Sequence, residues 1–154
     1  MHRTVPDPLA RQAREDDFER VTELLEILGR AEVTEDTEAE CRRVFEGQVV
    51  GQESAPLVVE DDTGQVIACC SLHFRPRLNR PVPDAWIPDL IVHPDARRQG
   101  AGRALLTEAE RLARNRGCRQ LTLESGYQRK EAHQMYEACG MENEGYYFGK
   151  PLGV

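Results

Sequence analysis

The stretch from Leu90 to Leu106 constrains the fold of this chain more than any other part of the sequence. A β-prone run leads into an arginine-rich turn that carries Gly100 and Gly102, and an amphipathic helical pattern follows at once. Glycines there remove the β-carbons that would keep a diphosphate away from the backbone, while N–H groups of the first helical turn point towards an anion. Arg98 and Arg103 can add charge-assisted contacts. The stretch predicts a phosphate-binding turn, with a merely flexible turn as the simpler alternative.

A dinucleotide-binding turn is a second functional interpretation of the same glycines. That turn needs a third glycine three residues after the second, and Leu105 stands at this position. It should also follow the first strand of its domain, whereas this turn follows roughly the fourth predicted strand. The dinucleotide interpretation therefore fails.

The 154 residues fit one domain, which we expect to span residues 9–154 after a loose tail at residues 1–8.

The charge of the chain argues against other classes of binding protein. The net charge of −7 argues against a nucleic-acid or anionic-membrane binder, because such surfaces attract net positive charge. Arginines nevertheless concentrate between positions 97 and 119. This basic stretch indicates a local anion site, or alternatively a solvated helix face.

Cysteine usage and the absence of long apolar runs bear on compartment and metal content. The five cysteines show no C-x-x-C spacing and no zinc-like pairing with histidine, so we expect no metal site and a reducing compartment. No apolar run approaches the ~20 residues of a bilayer span, and the first residues lack the apolar core of a signal peptide. We therefore expect a cytoplasmic protein that binds no membrane.

Apolar periodicity and turn signals predict an α/β fold, with a mixed sheet and helices on its faces. Pro88 interrupts the strand before the phosphate-binding turn, and since proline cannot donate to a ladder, it should mark an edge, a bulge or an opening in the sheet. The predicted segments are a short strand near Leu9–Arg14, helices from Asp16 or Asp17 to Gly29 and over Thr37–Val49, strands at Leu57–Glu60 and Gln65–Phe74, a loop over Arg75–Asp84, a strand at Trp86–Val92, a helix to Arg116, a strand at Arg119–Glu124, a helix over Lys130–Cys139 and a last strand at Tyr146–Gly149.

Two motifs carry a resemblance to a known family. They are Arg97-x-x-Gly100-x-Gly102 after a strand that ends in valine, and Ala132-x-x-x-Tyr136-Glu137-x-x-Gly140-Met141. With these motifs, and with a matching element order over nearly the whole chain, the sequence resembles the GNAT superfamily of N-acetyltransferases. The resemblance implies a mostly antiparallel central sheet that is splayed between strands four and five. It also implies acetyl-coenzyme A as the acyl donor.

A finer similarity points to the aminoalkylphosphonate N-acetyltransferases. The shared features are a Leu72-His73 pair on the third strand and the sequence Arg129-x-x-Ala132-His133. Many family members carry an asparagine that contacts the cofactor where Arg129 stands here. The resemblance assigns cofactor contacts to Leu90, Ile91, Val92, Arg97, Arg98, Gln99, Gly100, Ala101, Gly102, Arg103, Arg129, Ala132 and Tyr136. A backbone N–H near Leu90 or Ile91 would polarise the thioester carbonyl.

The resemblance also implies catalytic roles. Tyr136 matches the tyrosine that acts as general acid towards the leaving sulfur, and a phenol stays protonated at neutral pH. Its alternative role is an aromatic anchor between helix and sheet. Asp89 is the first candidate for the general base. His73, His93, Glu124 and water remain alternatives.

The acceptor and the partners follow from weaker signals. We expect a small-molecule amine, with protein lysines or N-termini as alternatives, and place His73 and Arg75 in the acceptor groove. Arg75, Arg77 and Arg80 could hold an anionic group, although the acidic balance favours a cationic acceptor. A non-catalytic acyl-coenzyme A sensor is the competing class. An exposed last strand around Tyr147 could form a homodimer.

Overall fold

The computed structural model describes residues 7–125 and 129–153 and contains one five-stranded sheet in the order β1-β2-β3-β4-β5. Neighbouring strands run antiparallel except for β4 and β5, which are parallel. The mixed α/β architecture predicted from the sequence is thereby confirmed. Its elements are β1 (Ala10–Gln12), α1 (Phe18–Leu28), α2 (Glu38–Val50), β2 (Leu57–Glu60), β3 (Val66–Arg77), β4 (Arg80–Val92), α3 (Ala101–Asn115), β5 (Leu121–Leu123) and α4 (Lys130–Ala138).

Helices cover both faces of the sheet, and each face buries its own apolar cluster. On one face, Leu105 of α3 is fully buried in a cluster with Leu72, Ile87 and, from α4, Tyr136. On the other face, residues of α1 and α2 pack against β2, β3 and β4; Phe18 and Phe45 lie at the centre, with their rings 5.8 Å apart. None of the helices in the described ranges is long and apolar enough to cross a membrane.

The loop predicted over Arg75–Asp84 is wrong, because β3 and β4 continue through it as a long hairpin. Arg75 pairs with Asp84 across the strands. Asp84 is 1% exposed, and its carboxylate accepts from Arg80 Nη1 at 3.2 Å, with Arg77 Nη1 at 3.7 Å. Pro81 and Pro83 of β4 are tolerated because β5 begins its pairing only at Ala85, so this part of β4 has one strand neighbour and needs fewer N–H donors.

The last predicted strand, Tyr146–Gly149, is also wrong. After α4 the described chain has no helix or strand, and the side chains of Tyr146, Tyr147 and Phe148 are largely exposed. The other predicted elements are confirmed, with boundaries that shift by a few residues at most. Most of the predicted tail, residues 1–6, lies outside the described residues, and Pro8 lies close to Gly100.

Candidate active site

The sheet opens between β4 and β5 beside Pro88. Three register pairs join the strands, the last being Ile87 with Leu123, and the final backbone hydrogen bond runs from Glu124 N to Ile87 O at 3.3 Å. On the other side of β4, the register with β3 shifts between the pairs made by Ser71 and His73, which places a bulge at this level of β4. The segment Pro88–Val92 therefore has β3 on one side and no partner from β5 on the other. Among the described residues, pairing of β4 with β5 thus ends at the proline, where an opening was expected, and this unpaired side of Pro88–Val92 is called the opening below.

The predicted phosphate-binding turn lies at the end of this open segment. Gly100 adopts φ +85° and precedes the first residue of α3, and Arg98 also has a positive φ, +65°. These left-handed residues turn the chain sharply, and an arginine in this region is uncommon, while glycine enters it without steric cost. The helix starts with Ala104 N donating to Gly100 O, so the N–H groups before it have no partner within the helix. The side chains of Arg97 and Arg103 are exposed beside them.

Gly102 has a packing role that the sequence did not indicate. A β-carbon there would lie 2.9 Å from Met135 Cε and 3.5 Å from Val92 Cγ2. The missing side chain lets α3 approach both α4 and β4 closely. The glycine motif thus serves contact between elements as well as the turn, and only the tertiary structure shows this.

Tyr136 lies near the C-terminal end of α4 and is 9% exposed. Burial raises the pKa of its phenol above the ordinary value, and the charge of Arg129 and the neighbouring Ser125 hydroxyl only partly offset this. Ser125 follows β5, and its Oγ is 3.2 Å from His133 Nε2. The phenol is therefore a protonated hydrogen-bond donor at neutral pH, held near the end of the strand that borders the opening. The sequence motif predicts Tyr136, whose catalytic role remains a prediction, whereas Ser125 belongs to no motif and was not predicted.

Arg129 makes a contact within the protein. Its Nη2 donates to the carbonyl oxygen of Leu28 at 2.8 Å, which ties the start of α4 to the end of α1. Ala132 is half-buried one turn before Tyr136, on the same helix. The predicted cofactor contact of Arg129 remains a prediction.

A polar group of side chains, here called the Trp86 cluster, comprises His73, Arg75, Trp86 and Glu124. The Trp86 Nε1–H donates to Glu124 Oε1 at 3.0 Å, the Arg75 guanidinium carbon lies 4.3 Å from the centre of the indole, and the His73 ring is 5.6 Å from it. Leu72 and Phe74 pack on the α3 face, so strand alternation turns His73 and Arg75 to the opposite face. Three of the four residues are candidates from the sequence. Trp86, whose indole contacts the other three, was not predicted.

Burial determines the protonation state of His73 in the Trp86 cluster. Desolvation lowers the pKa of His73, the charge of Arg75 acts in the same direction, and the carboxylate of Asp89 opposes them. The imidazole is consequently neutral at physiological pH and able to accept a proton. Arg75 Nε is buried and has no hydrogen-bond partner among the described residues.

The other two candidate bases are engaged elsewhere. Asp89 Oδ1 accepts from Arg30 Nε at 2.6 Å in a salt bridge. His93 Nδ1 accepts from Asp95 N at 3.1 Å and caps the short turn after β4. Across residues 7–125 and 129–153, no three histidine, cysteine, aspartate or glutamate side chains are placed to hold a metal ion.

Comparisons with known proteins address the family and the fold of the chain. The sequence profile described as Acetyltransferase (GNAT) family matches residues 12–141. The chain is 41% identical over 68 residues to the uncharacterized N-acetyltransferase YhdJ of Bacillus subtilis, which is 44% of this chain and 48% of that protein. It is 33% identical over 89 residues, 58% of each chain, to the aminoalkylphosphonate N-acetyltransferase of Salmonella typhimurium. The chain thus spans about half the length of these relatives. A crystal structure of a transcriptional regulator from Bacillus halodurans shares the fold, with a TM-score of 0.84 at 23% identity over 94% of this chain and 99% of that one.

Proposed function

The chain belongs to the Acetyltransferase (GNAT) family, and on that premise we propose that it transfers acetyl from acetyl-coenzyme A to the primary amine of a small molecule. The observation that carries the proposal is the opening beside Pro88, which has the turn predicted to bind phosphate at one end and the buried phenol of Tyr136 near the other. Acyl transfer from a long phosphorylated donor requires an anion site, an unpaired strand edge along which the donor can extend, and a proton donor for the leaving sulfur.

The residues around the opening fit such a donor. The exposed arginines Arg97, Arg98 and Arg103, with the N–H groups at the start of α3, suit a diphosphate. The segment Leu90–Val92 lacks a partner from β5, so its backbone can pair with an extended amide-bearing arm as another strand would. The donor supplies the activated thioester. An N–H of Leu90 or Ile91 would stabilise negative charge on its carbonyl oxygen.

Proton transfer is assigned to two side chains on opposite faces of the sheet. The amine nitrogen forms a bond to the acetyl carbon, and the carbon–sulfur bond breaks. Tyr136 donates its phenolic proton to the departing sulfur, since its raised pKa keeps that proton in place at neutral pH. We assign the amine proton to His73, through water, in preference to Asp89, because burial keeps His73 neutral whereas Asp89 is held in the salt bridge with Arg30.

The Trp86 cluster is the acceptor site in this proposal. One carboxylate oxygen of Glu124 accepts the hydrogen bond from the indole N–H of Trp86, and the other oxygen can bind an ammonium group. Arg75 offers a buried N–H that has no hydrogen-bond partner in the described part of the chain, which suits a phosphonate, phosphate or carboxylate on the same small molecule. An amine that also carries an anionic group therefore fits better than a polyamine.

Thiol release from acetyl-coenzyme A tests the proposal. Wild type and Tyr136→Phe are compared on aminophosphonates, amino acids, aminoglycosides, polyamines and a lysine peptide, with Tyr146→Phe as the matched control at an exposed position. We expect release that depends on the amine, a loss of about 10²–10³-fold in kcat for Tyr136→Phe and no change for the control. Binding of coenzyme A, measured by calorimetry, should persist in all three proteins. Binding without turnover on any amine would refute the catalytic proposal and favour a sensor.

A further inference from the structure

The end of α1 reaches the opening through Arg30. The helix ends at Gly29 in a left-handed conformation, and Arg30 N donates to Leu25 O at 2.9 Å, which fixes the direction in which the chain leaves the helix. From this position Arg30 Nε donates to Asp89 Oδ1 at 2.6 Å, and Arg30 Nη2 donates to Pro88 O at 3.5 Å. One side chain from the end of α1 therefore holds two consecutive residues of β4 at the point where the sheet opens.

A second element holds the same turn. Arg129, at the start of α4, donates from Nη2 to Leu28 O at 2.8 Å, where a positive charge also suits the carbonyl end of the helix. An ion pair of a half-exposed arginine usually contributes little to stability, and Arg30 is 54% exposed while Asp89 is 21% exposed. The backbone that carries Arg30 is nevertheless fixed by the helix cap and by α4. The consequence of the pair is therefore sought in the position of the Asp89 carboxylate.

Asp89 and His73 lie on the same face of the sheet. Ser71 pairs with Asp89 across β3 and β4, and paired residues direct their side chains to one face. Ser71 and His73 are alternate residues of β3, so His73 shares that face. The two side chains are thus diagonal neighbours, a separation that charged and aromatic side chains can span. The carboxylate of Asp89 has Arg30 as its partner, with the imidazole of His73 as the alternative partner on its own face.

Charged residues lie on each element packed around His73. They are Arg75 on β3, Asp89 on β4, Glu124 after β5, which accepts from Trp86, and Glu53 in the connection between α2 and β2, whose neighbour Ser54 forms a bridge with His73. Burial lowers the pKa of His73, the charge of Asp89 raises it and the charge of Arg75 lowers it. A carboxylate that paired with the imidazole would stabilise its protonated form, which cannot act as a base.

We propose that Arg30 is a positioning residue for the general base: it binds Asp89 and so keeps this carboxylate from pairing with His73, whose imidazole remains free to accept a proton. The inference rests on the role given to His73 in the proposed function. The amine proton moves to His73 through water, and Arg30 takes no part in that transfer. Arg30 contacts neither donor nor acceptor in this role and acts only through Asp89.

NMR titration of the histidine side chains tests the proposal without catalysis, with the His73 signal assigned by its loss in His73→Gln. In Arg30→Gln the imidazole should bind a proton about 2–5-fold more tightly than in wild type, as expected for a solvent-screened carboxylate about 7 Å away. Adding Asp89→Asn to Arg30→Gln should restore the wild-type titration, and Arg30→Lys should retain it because the charge is kept. Arg43→Gln removes an exposed arginine that pairs with Glu40 on α2, and this matched control should titrate like wild type.

Two results would overturn the proposal. One is an unchanged titration of His73 in Arg30→Gln, and the other is a change that persists when Asp89 is also replaced. If Arg30→Gln does not fold, Arg30→Met decides by the same two criteria, since it is also neutral and keeps most of the aliphatic chain.

Kinetics separate this inference from the proposed function. With an amine that the wild type acetylates, kcat/KM of Arg30→Gln should fall about 2–5-fold on the acidic limb, below about pH 6, and match the wild type near about pH 8. A purely structural role would lower the rate equally at every pH, and that result would overturn the positioning role. Absence of turnover by the wild type on every amine would instead refute the proposed function, and the NMR titration would still decide whether Arg30 keeps Asp89 from His73.

Discussion

Asp84 is the most informative single position for the stability of the β3–β4 hairpin. Its side chain is 2% exposed and lies between Arg80 Nη1, at 3.2 Å, and Arg77 Nη1, at 3.7 Å. Replacement by alanine removes the carboxylate and leaves two arginines close together near the tip of the hairpin. Arg75, which pairs with Asp84 across the strands, belongs to the Trp86 cluster, so the loss would also reach the proposed acceptor site.

The size of the effect follows from the exposure of the partners. Removing one partner of a buried ion pair costs about 3–5 kcal/mol. Arg80 and Arg77 are 23% and 48% exposed and regain hydration, which reduces the expected loss in the free energy of unfolding to roughly 2–3 kcal/mol. For a chain of this length each kcal/mol shifts the melting temperature by about 2–4 °C, so Asp84→Ala should melt about 4–12 °C lower.

Urea unfolding and calorimetry of Asp84→Ala measure this loss, with Asp36→Ala as the control at an exposed turn. The control should change the free energy of unfolding by less than about 0.5 kcal/mol. A double-mutant cycle with Arg80→Ala should give a coupling of about 1–3 kcal/mol between the two side chains. A loss below about 1 kcal/mol for Asp84→Ala, or no coupling, would refute the view that this carboxylate holds the hairpin together.

Three further predictions concern acid stability, the phosphate-binding turn and the general base. Burial of Asp17 would raise its pKa, but the hydrogen bonds from Arg11 and from the backbone of Arg14 outweigh this and lower it. The stabilisation by Asp17 is therefore present above its pKa in the unfolded chain, near 3.9, and is lost as the pH falls through its pKa in the folded chain. Asp17→Asn should therefore flatten the loss of unfolding free energy below about pH 4, and an unchanged slope would contradict this role. Gly100→Ala should cost about 1–2 kcal/mol in urea unfolding because φ is +85°, whereas Gly47→Ala within α2 should gain about 0.5–1 kcal/mol; equal effects would refute the strain argument. In wild type, kcat/KM should fall as the pH drops through the lowered pKa of His73, below about 6.5, and a His73→Gln variant that keeps this acidic limb would exclude His73 as the base.

The sequence by itself determined the features that depend on neighbouring residues. Helix α1 ends at Gly29, which adopts φ +103° as a left-handed cap, and the turn before α3 requires a glycine at position 100 for the same reason. Pro88 predicted where the pairing of β4 ends, because the lack of an N–H donor is a property of the proline itself and can be recognised from the sequence. These signals act over a few positions, so they can be recognised in the chain without knowledge of its fold.

The tertiary structure alone decided how distant charges and rings meet. Prolines and arginines at positions 75–84 favour a loop locally, and the hairpin forms because the sheet buries Asp84 beside Arg80, with β5 absent from that part of β4. In the same way, the salt bridge of Asp89 with Arg30 and the hydrogen bond of Trp86 with Glu124 join residues 59 and 38 positions apart. Local propensity cannot encode such pairs, because the free energy of burying a charge or an indole depends on the partners that folding places around it.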